Sequence, residues 1–215
     1  IRGKIHSSCE ILHPENVIIQ AGSVLKPFTV IDASRGPVWI EEQVQIESFS
    51  TITGPALIGR GTLISRGKIE NSWVGKHNRI EGIVNDSILG NHNQIGFLAH
   101  IQKSWLGSWN RFGEQSHVFS QNALLKPVSI LTSRTKKVDT LLNELGTLTG
   151  DYNYITPQSL IPAGFQIGTA SLYTSMEADS FFPDFSMTAS ARLSKLRSWE
   201  EIESVLQKQQ HQSVR

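Results

Sequence analysis

The chain has 215 residues, with 20 Lys and Arg against 19 Asp and Glu for a formal net charge of +1. So even a balance supplies no field that argues for nucleic acid or an anionic membrane, and neither is expected as a partner; any phosphate must be held locally. The single Cys9 excludes an internal disulfide framework, and nothing resembles a signal peptide or an apolar run long enough to span a bilayer, which together point to a reducing, cytoplasmic setting.

Residues 1–35, with Ile11, Val17, Val24 and Val30 at uneven spacing, read as an irregular opening coil. From Ile40 an apolar residue then recurs every six positions, at Ile46, Ile52, Ile58 and Ile64. The beat returns at Val74 and Ile80, at Leu89, Ile95 and Ile101, from Leu106 through Phe112, Val118 and Leu124 to Ile130, and finally at Thr149, Ile155, Ile161 and Ile167. Gly often follows the marker, as at Gly59, Gly75, Gly90 and Gly107, and Ser, Thr or Asn recurs four places after it. Neither a helix nor an ordinary strand repeats every six. The period is that of a hexapeptide-repeat β-helix, in which three hexads make a coil of roughly 18 residues and successive coils stack about 4.8 Å apart. The expected fold class is therefore all-β, a parallel β-helix over 36–175, with markers inward and Gly or Asn at the corners. Grouped by threes, one face carries Ile40, Ile58, Val74, Leu89, Leu106 and Leu124. The next carries Ile46, Ile64, Ile80, Ile95, Phe112 and Ile130, and the third carries Ile52, Ile69, Val84, Ile101 and Val118.

Between Ile130 and Thr149 the beat stops, and the polar run 131–148 reads as a loop excursion whose Arg134, Lys136 and Lys137 are candidates to hold a phosphorylated ligand. The extension 176–215 is expected to cap the prism and to end in an α-helix from Arg192 to Gln210. Ser198 and Glu201 form its capping box, and Trp199, Ile202, Val205 and Leu206 share one helical side.

Positions just before the first-face markers are Trp39, Leu57, Trp73, Ile88 and Trp105, an outward apolar column that needs a cover. Two further copies of the chain, in a homotrimer, or the C-terminal helix are the candidates. On the third face His100 and His117 occupy equivalent outward places in adjacent coils, one strand spacing apart, where either can serve as a general base near neutral pH with Glu114 nearby. A metal site built on this pair would need a third His at matching height. His77 and His92 sit at a corner where a turn role suffices, so no metal is expected.

The segments 32–40, 52–59, 87–90, 96–100, 105–113 and 145–152 resemble the left-handed β-helical C-terminal domain of sugar-1-phosphate nucleotidylyltransferases. The nearest subgroup is that of the bifunctional N-acetylglucosamine-1-phosphate uridylyltransferase and glucosamine-1-phosphate acetyltransferase. The resemblance implies left-handed winding, a homotrimer, and clefts between subunits that bind acetyl-CoA or another acyl-CoA and an amino-sugar phosphate. In complete members of the family a separate N-terminal domain performs the nucleotidyl transfer; no Gly-rich nucleotide-binding segment occurs in these residues, so if that domain exists it lies upstream of Ile1. The family's catalytic His falls on Phe97, with His100 in the following aromatic place, and the family's Asn before Ile-Gly is Arg111. The expected site is therefore His100 or His117 as base, with Arg79, Arg111 and the 134–137 loop near phosphate. The alternative is a catalytically silent trimerisation scaffold.

Overall fold

The computed structural model describes residues 1–122, 124–131, 137–174, 181–189 and 192–195. The chain winds as a left-handed parallel β-helix of about nine turns. Each short strand pairs with the strand one coil further on. Gln45–Ile46 lies beside Leu63–Ile64, and the row continues through Arg79–Ile80, Gln94–Ile95, Arg111–Phe112 and Tyr154–Ile155. This row belongs to the eleven-stranded second face. The first and third faces join into one fifteen-stranded sheet, because Thr51–Ile58 and Lys68–Val74 run from the third face to the first around their common corner.

Period-two alternation within each strand decides what is buried. The second residue of Gln45–Ile46 or Arg79–Ile80 points inward and is fully buried, while the first faces out. Each such isoleucine contributes about 1.5–3 kcal/mol by leaving water. Polar ladders hold the corners between strands. The Asn78 side-chain oxygen accepts the Asn93 amide, Asn93 accepts that of Asn110, Asn110 that of Asn153, and Asn153 that of Ser171. At the corner between third and first faces the Ser72, Ser87 and Ser104 hydroxyls accept the amides of Ser87, Ser104 and Thr147. These buried amides would otherwise lack a partner.

At the corner between first and second faces one residue per coil has positive φ, including Gly61, His77, His92, Trp109 and Tyr152. Their rings stack along the edge. Centroids are 5.1 Å apart for His77 and His92, 4.1 Å for His92 and Trp109, and 6.0 Å for Trp109 and Tyr152. Gly61 ends the stack, since a Cβ there would lie 2.5 Å from Nδ1 of His77.

Three expectations are corrected. Residues 1–35 are not irregular: Lys4–Ile5, Glu10–Leu12 and Val17–Ile19 pair in register with Val24–Leu25, Val30–Asp32 and Val38–Ile40. The inward markers there are Ile19, Leu25 and Ile31, while Val24 and Val30 face outward. Adjacent apolar pairs such as Val24–Leu25 hide the phase of the repeat. Second, the excursion leaves the coil near Ser120 rather than at 131. Asn122 turns the chain, its side-chain oxygen accepting the amides of Leu124 and Lys126 while its amide donates to the Lys126 carbonyl. Leu124 is therefore exposed, and Ile130 lies in an antiparallel hairpin of Ser129–Leu131 against Lys137–Asp139 instead of in a coil. The winding resumes where Leu148–Thr149 pairs with Trp105–Leu106. Third, Arg192–Lys195, expected to begin the helix, is a strand antiparallel to Ser186–Ala189. The rest of the expected helix, with Trp199, Ile202, Val205 and Leu206, lies outside the described residues.

Candidate functional site

His100 and His117 come from strands His100–Gln102 and His117–Val118 on the third face, where they are direct register partners. Their rings meet edge to face with centroids 4.8 Å apart, close to the strand spacing. Both are partly buried. Burial pushes the His100 pKa below its ordinary value, aided by the neighbouring His117 and by Lys68, and burial likewise lowers that of His117. Both imidazoles are thus neutral at pH 7, the form a general base requires. Nε2 of His100 is shut off from solvent and has no hydrogen-bond partner, so His117 is the more accessible base of the two.

The His117 ring also packs against Phe119, with centroids 4.5 Å apart, and its strand neighbour on the far side is Leu160. Phe119 and Leu160 open onto a cavity of about 670 Å³ between the third face and the base of the excursion. Pro162 and Ala163 extend its apolar wall, while Gln102, Ser120, Gln121, Asn122 and Glu144 supply polar groups. Glu144 is fixed by Lys103 at 2.9 Å and by the Gln121 amide at 2.7 Å, and its bond to Lys103 holds the lysine pKa above the ordinary value. Sequence reasoning missed this cavity. Phe119 was readable from alternation, two places after His117, but Glu144 reaches the site only through the path of the excursion.

Arg79 and Arg111 stand elsewhere. They occupy one outward row of the second face, with Gln94 between them, and line a separate pocket of about 260 Å³ with Glu81, Phe97, Glu114 and Tyr154. Arg79 pairs with Glu81 at 2.6 Å, and the Arg111 guanidinium lies 5.4 Å from the centre of the Tyr154 ring. Neither His100 nor His117 lines this pocket. Within one chain the bases and the arginines thus lie on two faces separated by a corner. Lys137 is exposed on the excursion hairpin and lines a third cavity of about 420 Å³; Arg134 and Lys136 lie outside the described residues. Among the described residues no three His, Cys, Asp or Glu side chains gather as a metal ion would need.

The apolar column is continuous on one face: Ile18, Trp39, Leu57, Trp73, Ile88, Trp105 and Leu148 are register partners in succession. Trp73 and Trp105 remain 58% and 61% exposed, so no described residue of the chain covers them.

No protein-family model matches the sequence, and neither does any curated protein. Among solved structures the chain is similar to the UDP-N-acetylglucosamine acyltransferase of Arabidopsis, at 15% identity and a TM-score of 0.53, over 88% of this chain and 72% of that one. It is similar also to the UDP-N-acetylglucosamine acyltransferase of Francisella novicida, at 15% identity and a TM-score of 0.51, over 94% of this chain and 72% of that one. At such identity the likeness is one of fold.

Proposed function

We propose that this chain is an acyltransferase that moves an acyl group from an acyl-CoA to the amino group of a phosphate-linked sugar, with His117 as general base. The observation that carries the reading is an apolar-walled cavity of about 670 Å³ whose wall residue Phe119 packs against the ring of His117, one of two neutral imidazoles in edge-to-face contact. An acyl chain in it would lie one ring away from a base. The described acyltransferase neighbours support the same class of chemistry. In the reaction the acceptor nitrogen attacks the thioester carbonyl and gives its proton to His117; the carbon–sulfur bond breaks, and the imidazolium returns the proton to the departing thiolate. Nucleotidyl transfer, the other half of the sequence resemblance, has no Gly-rich phosphate-binding loop to rest on in these 215 residues.

The arginine pocket on the second face supplies cations for the sugar phosphate. A single chain does not unite it with His117, whereas prisms side by side in a homotrimer would set one copy's second face against another's third. The Trp column lies on the first face, which a contact of that kind leaves uncovered. A second reading rests on that column alone: a catalytically silent trimerisation scaffold.

Titration calorimetry with acetyl-CoA and longer acyl-CoAs, followed by turnover with amino-sugar phosphates, tests the proposal. An enzyme gives binding heat that His117→Ala retains while turnover falls at least about 100-fold. Absence of heat with every acyl-CoA overturns it in favour of the scaffold.

A further inference from the structure

The cavity on the excursion draws its walls from both arms of the segment, Lys126 on the outgoing arm and Lys137 and Asp139 on the returning one, around a space of about 420 Å³. Strand pairing fixes which side chains share it. Ser129 stands opposite Asp139 and Leu131 opposite Lys137, so by alternation Ser129, Lys137 and Asp139 project from one side of the hairpin, while Ile130 and Val138 take the other. Lys126 is placed by a separate clamp: its amide donates to Oδ1 of Asn122 at 3.0 Å, and its carbonyl accepts from Nδ2 of the same residue at 2.6 Å. Among the described residues neither ammonium has a carboxylate within ion-pair distance, Asp139 included. Asp139 is engaged by the Ser129 hydroxyl, which donates to its Oδ1 at 2.6 Å; Oδ2 has no donor among the described residues. The rest of the wall is apolar, from Leu124, Pro127, Val128 and Ala163.

We infer that this cavity binds a nucleotide, its phosphate between Lys126 and Lys137, its ribose hydroxyls on Asp139 and its base against Leu124, Pro127 and Val128. Two unpaired cations on opposite arms call for one shared anion. The carboxylate beside them disfavours a ligand that is anionic throughout, such as pyrophosphate, whereas an acidic side chain is a natural acceptor for ribose hydroxyls. A bare sugar phosphate would leave the apolar wall uncovered. The volume falls within the range of about 300–1,000 Å³ that small ligands and cofactors fill. Three bearers share this chemistry: CoA, a sugar nucleotide and a free nucleotide. The inference goes beyond the acyltransferase reading and does not rest on it, since Phe119 and Leu160, which wall the cavity beside His117, take no part here.

Equilibrium dialysis of the full chain against AMP and UMP is the experiment. Both are expected to bind, and adenosine and uridine, which lack the phosphate, at least about tenfold more weakly. Lys126→Gln combined with Lys137→Gln should erase that difference. Asp139→Asn should weaken AMP about fivefold and leave dideoxy-AMP unchanged. Circular dichroism and the melting temperature of each variant should match those of the parent, so that loss of binding is not loss of fold. Displacement of AMP by CoA assigns the cavity to the acyl donor, displacement by UDP-N-acetylglucosamine assigns it to a sugar nucleotide, and displacement by neither assigns it to a free nucleotide; all three support the inference. Failure of both AMP and UMP to bind, or binding indifferent to the paired lysine changes, overturns it. A chain that binds acyl-CoA but not AMP keeps the acyltransferase reading and loses this one.

Discussion

The His100 and His117 rings touch edge to face across neighbouring coils, and both are more acidic than free imidazole. Below about pH 6.5 the unfolded chain therefore binds more protons than the folded one. The corresponding stability is complete above that pH and is lost as pH falls through the lowered folded values. Thermal melts from about pH 8 down to about pH 5 should show Tm falling on the acid side, and His100→Phe should flatten that fall. The same variant should melt higher near neutrality, since it removes a buried ring nitrogen that has no partner.

Asn110 is a rung whose side-chain oxygen accepts the Asn153 amide and whose Nδ2 donates to the Thr149 hydroxyl. Asn110→Ala leaves that buried amide unpaired. A loss of about 2 kcal/mol is expected, read as a Tm lower by roughly 4–8 °C.

Glycines separate into two kinds. A Cβ on Gly90 would lie 2.7 Å from the Gly107 carbonyl oxygen, whereas one on Gly22 would meet its nearest neighbour, the Gln43 side chain, at 3.4 Å. Gly90→Ala must push stacked backbones apart and should cost about 2–3 kcal/mol in chemical denaturation. Gly22→Ala carries only the strain of its positive φ, about 1 kcal/mol.

Lys103 ties the excursion to the prism through Glu144, with Asp86 3.7 Å away on the other side. Lys103→Met should free the base of the excursion. Limited trypsin digestion should then cut after Lys137 several times faster, while the prism resists.

The prism was legible because its markers alternate with outward residues at a fixed period, which placed Trp39, Trp73 and Trp105 on one face and His100 beside His117. The departure of the excursion was not legible, since Leu124 and Ile130 keep the beat. The turn formed by Asn122 overrides them, and a side chain that hydrogen-bonds its own backbone leaves no periodic trace. The resemblance set Arg111 and Arg79 with the histidines in one site, whereas their strands stand on the second face and those of the histidines on the third. In a coil, near in sequence means around a corner.

Crossing the inserted segment, the rungs of the ladder join Asn110 to Asn153, 43 positions apart, where Asn93 and Asn110 are 17 apart. Closing the larger ring costs only about 0.8 kcal/mol more, because chain entropy grows with the logarithm of length. A stacked rod can thus accept long appendages at a corner almost freely, so long as the residues on either side of the gap resume their rung. New recognition surfaces can arise on this molecule without renegotiating its interior.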